Sequence, residues 1–187
     1  MSPVFAEKLA FGKIAESHIS MWLRKRCKYA VLPVYEKEIN EGKGPQLYLP
    51  DDSLIAPDMV AIRGDEIKWI EAKHKTVFSW HRKTERWVTG IDIHHYEHYL
   101  TVNRKINWPI YLMFFHRQAE PNHRDIDFGS PQLCPTGLFC GCLDILSENE
   151  NHRARADQWG KGGMVYWAHE ILMKLADYDE VVKCSET

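Results

Sequence analysis

Residues 55–75 read IAPDMVAIRGDEIKWIEAKHK, the most apolar and most strand-like stretch of the chain. On either side of the central Gly-Asp pair, apolar and polar residues alternate, as they do in strands that bury one face. Two acids and a lysine nevertheless lie within this stretch, at Asp58, Glu71 and Lys73. Their positions decide which fold and which function the sequence predicts.

Gly64 and Asp65 predict a two-residue hairpin loop, because glycine at the first loop position suits a type II′ turn. Strands joined by this loop place Asp58 opposite Glu71, and Lys73 points to the same face because side chains alternate along a strand. The same register pairs the apolar residues of this face, which are Ile62 with Ile67 and Val60 with Trp69. An apolar sheet face is therefore predicted to end in a cluster of three charged groups.

Directly opposed residues have Cβ atoms about 5 Å apart, so Asp58 and Glu71 are expected to repel each other. Carboxylates beside an apolar core take up a proton or bind a cation, and such a pair suits a divalent metal with oxygen ligands. Mg²⁺ is the expected ion, with Mn²⁺ as its substitute. A second interpretation stays open, in which Lys73 neutralises one acid while the other reaches solvent.

A further acid lies on the first predicted helix, which covers residues 4–28. Glu16 sits in the middle of an apolar stripe with helical spacing, formed by Phe5, Leu9, Gly12, Ile19, Leu23 and Cys27. Glutamate is seldom buried without a partner. Glu16 is therefore expected either to share the metal site or to pair with an arginine or a lysine.

The remaining pattern predicts a mixed α/β fold with a central sheet flanked by helices, in one domain over residues 1–187. Strands are predicted over residues 30–38, 58–63, 66–74, 108–116 and 137–146, with a turn at 40–45. Helices are predicted from Asp92, a good N-cap, through residue 105, and within residues 164–176. Residues 76–90 form a polar and aromatic excursion, and residues 47–56 have no clear pattern.

Composition and charge exclude several classes of protein. The net charge of -2 and the pI near 6.5 give no global sign of a nucleic-acid partner, so such a partner must be recognised by local clusters. Neither a signal peptide nor an apolar run of about 18–20 residues is found, so we expect a cytoplasmic protein without a membrane partner. The five cysteines are expected to be reduced, and Cys134, Cys140 and Cys142 match no common zinc spacing.

Pro57-Asp58, followed across a hairpin by Glu71-Ala72-Lys73, resembles the PD-(D/E)xK nuclease superfamily. The pattern of that superfamily is an acid on one strand and an acid-x-Lys motif on the next. The resemblance implies a restriction-endonuclease-like core and a metal-dependent nuclease that hydrolyses DNA in recombination, repair or phage replication. It also implies that Asp58, Glu71 and the Ala72 carbonyl hold the metal.

Three further positions extend the resemblance. Glu16 matches the glutamate that members often carry on the helix before the sheet, where it would bind the metal directly or through water, or hold a second ion. RecB-like members carry Gln-x-x-x-Tyr on the helix after the lysine strand; here Tyr99 matches and His95 replaces the glutamine. Residues 89–92, before this helix, also resemble the corresponding stretch of phage and recombination nucleases of the superfamily. The resemblance thus adds His95 and Tyr99 as expected substrate contacts.

The predicted catalytic set is Asp58, Glu71, Lys73 and Glu16. Phosphodiester hydrolysis needs a water activated near neutral pH and compensation for the charge that builds on the phosphate, and a divalent metal provides both. Lys73 lies beside two acids, so it is expected to stay charged. It would orient the attacking water or stabilise the developing negative charge.

A cluster of cations and aromatic residues follows the lysine strand. Lys75, Arg82 and Lys83 are expected to bind DNA phosphates, and Trp80 is expected to stack on unpaired bases. The tryptophan could instead pack onto the core. The alternative function is a noncatalytic nucleic-acid-binding module that retains the nuclease fold. A homodimer is a possible assembly, because resolvases and restriction enzymes usually act as symmetric dimers.

Overall fold

A computed structural model describes residues 3–34, 45–155 and 162–186, with side chains described from residue 12 onward. The strands, in chain order, are β1 (Ala30–Pro33), β2 (Gln46–Leu49), β3 (Asp52–Ile55), β4 (Met59–Arg63), β5 (Glu66–Lys75), β6 (Ser79–His81), β7 (Arg86–Asp92), β8 (Ile110–His116), β9 (Gly137–Cys142), β10 (His152–Ala154), β11 (Met164–Ala168) and β12 (Met173–Ala176). The α-helices are α1 (Pro3–Lys25), α2 (Ile93–Ile106), α3 (His123–Asp127), α4 (Leu143–Glu148) and α5 (Tyr178–Glu186).

The central sheet contains β1, β4, β5, β8, β9 and β12, in that order. β5 and β8 run parallel, and the other neighbouring strands run antiparallel. One face packs against α1 and α5, and the other packs against α2 and α4. The predicted α/β fold, with a central mixed sheet flanked by helices, is therefore confirmed.

The hairpin between β4 and β5 has the predicted register. Ile62 pairs with Ile67, and Val60 pairs with Trp69. Gly64 has a φ of 58°, which is the positive value that the first position of a type II′ turn requires. The ladder ends at Met59, so Asp58 and Glu71 lie one step beyond its last pair.

A second sheet, in the order β10, β11, β7 and β6, was not predicted. Its strands β6 and β7 arise from the aromatic excursion at residues 76–90 and the two residues that follow it. The prediction of a helix within residues 164–176 is wrong, because this segment contains β11 and β12 and the last helix begins at Tyr178. Pairing of β11 with β7 buries Val165 and Trp167, residue types that favour strands.

The strand predicted over residues 137–146 ends at Cys142, and α4 begins at Leu143 because Leu143 and Leu146, three residues apart, bury one helical face. α1 and α2 match the predicted helices, and Asp92 caps α2 by accepting a hydrogen bond from the His94 N–H at 2.8 Å. Residues 35–44 lie outside the described residues, and with them the end of the strand predicted over 30–38 and most of the turn at 40–45. The side chains of Phe5 and Leu9 also lie outside. Within the described part of the chain, no helix is both long and apolar enough to cross a membrane.

Candidate active site

Asp58 is fixed at the start of β4 by a hydrogen bond to the neighbouring strand. Its Oδ2 accepts from the backbone N–H of Ala72 at 2.8 Å, which holds the carboxylate beside β5. Burial and the nearby charge of Glu71 raise the pKa of Asp58 well above its usual value, although Lys73 and the Ala72 N–H act in the opposite direction. The predicted approach of two acids across the hairpin is therefore present.

Glu71 and Lys73 form an ion pair on the face of β5 that packs under α2. The side chain of Glu71 is 1% exposed, and that of Lys73 is 27% exposed. Burial disfavours the charged ammonium, but the carboxylates of Glu71 and Asp58 outweigh that effect and raise the pKa of Lys73 above its usual value. Lys73 is consequently a permanent cation at neutral pH.

Glu16 approaches the same cluster from α1. Glu16 and Asp58 line one cavity of about 250 Å³ between α1 and the edge of the central sheet. The charge of Glu16 also contributes to the raised pKa values of both Asp58 and Lys73. Glu16 is half-buried, at the rim of the helix–sheet contact, so the structure corrects the expectation that it lies inside the apolar stripe.

α2 places His95 and Tyr99 against the acids and the lysine. Tyr99 is 1% exposed, and burial with the charges of Glu71 and Asp58 raises the pKa of its hydroxyl well above the usual value. His95 lies one turn before it, with ring centroids 6.0 Å apart. Burial, followed by repulsion from Lys73, lowers the pKa of His95. The two residues expected from the resemblance thus form one wall of the cluster.

Lys75 lies two residues beyond Lys73 on the same face, but its ammonium turns to the second sheet. Its Nζ donates to the carbonyl oxygen of Gly90 at 2.7 Å. Burial and repulsion from Lys73 lower the pKa of Lys75 to about 8. Its register partner His116 is fully buried, and sequence reasoning missed it because it only ends an apolar run.

Trp80, Arg82 and Lys83 lie apart from this cluster. They line a cleft on the second sheet together with residues of β10, β11 and the α3 segment. Trp80 packs partly against the buried core and stacks edge to face on Trp87, with centroids 5.1 Å apart. The structure therefore separates the expected substrate contacts into two groups.

The oxygen-rich donor set fits a divalent cation. Asp58, Glu71 and Glu16 are three carboxylates around one lysine, and such hard oxygen ligands are typical of Mg²⁺ and Mn²⁺ sites. Among the described residues, no three side chains of metal-ligand type are grouped closely enough to hold a metal together. The fit is thus to an ion held by Asp58, Glu71 and backbone or water oxygens, which suits Mg²⁺ because it keeps several waters.

The cysteines do not form a cluster with the site. Cys134 lies in the apolar cluster under α2, whereas Cys140 lies in the cluster under α1, on the opposite side of the central sheet. Both are buried free thiols, and burial raises the pKa of Cys140 to about 12. They act as small apolar core residues.

Comparison with solved structures supports the fold. The chain is similar to a structure of Hjc, a Holliday junction resolvase from the archaeal hyperthermophile Archaeoglobus fulgidus, with a TM-score of 0.50, 12% identity, and coverage of 91% of this chain and 99% of that chain. A nuclease from a fusselovirus aligns over 95% of this chain and 91% of its own, at 13% identity, but its TM-score of 0.39 is too low for any inference. No protein-family model and no curated protein matches the sequence. The resemblance to PD-(D/E)xK nucleases is thereby confirmed at the level of the fold.

Proposed function

We propose that this protein is a divalent-metal-dependent nuclease that hydrolyses DNA phosphodiester bonds. The observation that carries the proposal is the convergence of Asp58, Glu71 and Lys73 at the rim of an apolar sheet face. Burial and the charge of Glu71 raise the cost of ionising Asp58, so the opposed acids are destabilising unless a cation offsets them, and one lysine cannot neutralise both. A module that only binds nucleic acid has no need for opposed carboxylates.

Asp58, Glu71 and the Ala72 carbonyl are the groups that would hold Mg²⁺ or Mn²⁺, and Glu16 would act from α1 through water or by holding a second ion. A divalent cation, when bound, supplies Lewis-acid chemistry that offsets charge on the phosphate and makes a water more acidic. The hydrogen bond from the Ala72 N–H orients the Asp58 carboxylate before any ligand arrives. Orientation of this kind lowers the reorganisation that the reaction requires.

Lys73 acts as a cation rather than as a base, because its raised pKa keeps the ammonium protonated at neutral pH. The ammonium donates hydrogen bonds to the phosphate oxygens and stabilises the negative charge that develops on them. Tyr99 also keeps its proton at neutral pH, because its pKa is raised, and it remains a hydrogen-bond donor toward Glu71. His95 is largely uncharged and closes the wall above the substrate.

One solved structure with a similar fold is a Holliday junction resolvase, so branched DNA belongs among the substrates to be tested. A role in recombination or repair, and a symmetric dimer that cuts two strands, would follow from that substrate. Linear duplex DNA tests for an exonuclease instead. Single-stranded DNA completes the comparison.

The experiment measures cleavage of labelled linear, single-stranded and branched DNA with Mg²⁺, with Mn²⁺ and with EDTA. We expect metal-dependent products from the wild type and a loss of at least about 10²-fold in rate for Lys73→Met and Glu71→Gln. Lys68→Met is the matched control, because Lys68 lies on the same strand but pairs with the exposed Glu66. Cleavage that persists in EDTA, or equal rates for wild type and Lys73→Met, would exclude the proposed chemistry.

A further inference from the structure

A cleft of about 570 Å³ lies on the second sheet, on the face turned away from the buried Trp87 and Trp167. Its volume is within the range of about 300–1,000 Å³ that is typical of small-ligand sites. At the floor of the cleft, the aromatic ring of Tyr166 covers Gly90. A Cβ added to Gly90 would lie 2.8 Å from this ring. The glycine therefore allows the ring to lie flat on the sheet.

Three flat rings form a stacked column along one side of the cleft. His81 and His152 have ring centroids 3.8 Å apart at 8°, and His152 and Tyr166 have centroids 4.6 Å apart at 5°. Asn151 Nδ2 donates to Thr84 Oγ1 at 3.2 Å, which fastens the β6–β7 turn to the start of β10. The column is thus held together before any ligand binds.

The histidines of the column are uncharged at neutral pH. Burial, with repulsion from His81, lowers the pKa of His152 to about 4, and burial with repulsion from Lys83 lowers the pKa of His81. His152 is enclosed between the other two rings, so the outer ring, His81, supplies the neutral aromatic face on which a nucleobase can stack irrespective of its sequence.

The mouth of the cleft, beside the His81 end of the column, is cationic. The exposed side chains of Arg82 and Lys83 lie at its mouth, and the Arg82 guanidinium lies 3.9 Å from the ring centroid of Phe128. The guanidinium of Arg124, a residue of α3, lies 5.6 Å from the centroid of the same ring. Asp125 is the acid among the lining residues that the structure describes, so three cations face one anion. This balance suits a ligand with a phosphate.

We propose that this cleft binds one unpaired nucleotide of a DNA strand, with the base against the aromatic column and the phosphate against Arg82 and Lys83. The proposal extends the proposed nuclease function, on which the choice of DNA rests. β7 connects the two regions, because Val88 lines the cleft and Asp92 caps the helix that carries the active-site wall. Four strand residues span about 13 Å, or about four nucleotide steps of a stacked strand.

The test is fluorescence anisotropy with a labelled single-stranded oligonucleotide and with the blunt duplex of the same sequence, both in EDTA. We expect tighter binding of the single strand, a loss of about ten-fold for the double variant Arg82→Ala with Lys83→Ala, and a loss of about five-fold or more for His81→Ala. The charge-matched control is Arg24→Ala with Arg26→Ala at the end of α1. It should retain the wild-type affinity, and thermal melts check that each variant is folded.

Several results would overturn the proposal. Equal loss of single-strand and duplex binding in the Arg82 and Lys83 variant would show a nonspecific phosphate contact. Wild-type affinity in a folded His81→Ala variant would exclude base stacking, and the exposed charge variant still tests the cleft if His81→Ala does not fold. Free dAMP that binds as tightly as the oligonucleotide would make the cleft a mononucleotide site. Because binding is measured without metal, the binding result does not depend on whether the cleavage assay succeeds or fails.

Discussion

Replacing Lys73 by methionine removes the cation that pairs with Glu71 and keeps most of the aliphatic volume. Glu71 is 1% exposed, so water cannot replace the lost partner. A buried carboxylate that has lost its cation, with only the Tyr99 hydroxyl left as a donor, either stays charged at a high desolvation cost or takes up a proton. The lower of the two costs sets the loss of stability.

Proton uptake sets the upper limit. Protonating an ordinary glutamate with a pKa of about 4.3 at pH 7 costs about 3.7 kcal/mol, since each pKa unit corresponds to about 1.4 kcal/mol. At pH 5 the same protonation costs about 1 kcal/mol. Lys73→Met should therefore lower the free energy of unfolding by up to about 4 kcal/mol at pH 7 and by up to about 1 kcal/mol at pH 5, when metal is absent.

Denaturant unfolding in EDTA, followed by tryptophan fluorescence at pH 7 and pH 5, measures both values. Lys68→Met is the control on the same strand, because its partner Glu66 is exposed and hydrogen bonds from Lys68 and Tyr29 lower the pKa of Glu66 to about 2. The control should show a smaller loss that does not change between the two pH values. A loss for Lys73→Met that is equal at pH 7 and pH 5 would refute the buried ion pair.

Burial and Glu71 raise the pKa of Asp58, so the folded state favours the protonated form of this acid. That contribution to stability is complete below about pH 4 and is lost as the pH rises. Asp58→Asn should therefore melt at a higher temperature than wild type in EDTA at pH 7, but not at pH 4. Burial lowers the pKa of His116, so the free energy of unfolding of wild type should fall below about pH 6.5, by up to about 1.4 kcal/mol per pH unit. Denaturant titrations between pH 7 and pH 5 should show a smaller fall for His116→Phe. Gly90→Ala places a Cβ 2.2 Å from the Val165 carbonyl oxygen and should cost about 1–3 kcal/mol in the same titrations, whereas Gly12→Ala, with open space around it, should gain about 0.5–1 kcal/mol.

Each of these expectations has a contradicting result. Equal melting temperatures for wild type and Asp58→Asn at pH 7 would show that the acid carries no burial penalty. Parallel stability curves for wild type and His116→Phe would mean that His116 can be protonated in the folded state. A Gly90→Ala variant as stable as Gly12→Ala would contradict the close contact between β7 and β11.

The hairpin could be predicted from the sequence because its information is local. The Gly-Asp pair fixes the turn, the turn fixes the register, and the register brings Asp58 opposite Glu71. Helix α2 was predictable for the same reason, since its cap Asp92 and its apolar face lie within a few turns. These elements carry most of the candidate active site.

The second sheet could not be predicted because its strands come from separate parts of the chain. β7 pairs with β11, and no local pattern records that contact. The apolar run before Ala168 therefore suggested a helix, although pairing with β7 makes it a buried strand. The cleft could not be predicted for the same reason, because its aromatic column combines His81, His152 and Tyr166 from three strands that are separated in the sequence.

Glu16 shows a different limit. Helical spacing places it on the apolar stripe of α1, but spacing alone does not show where the helix crosses the edge of the sheet. The structure places it at that edge, half-buried and beside the cavity that Asp58 lines. Its approach to the acids was predictable, and its burial was not.

The most direct measurement is anomalous scattering from crystals grown with DNA and soaked in Mn²⁺. We predict one anomalous peak bounded by the carboxylates of Asp58 and Glu71 and the Ala72 carbonyl oxygen, and no such peak in crystals of Asp58→Asn. A map without a peak between those oxygens in the wild-type complex, or with an equal peak in the variant, would contradict the claim that these two acids hold the catalytic ion.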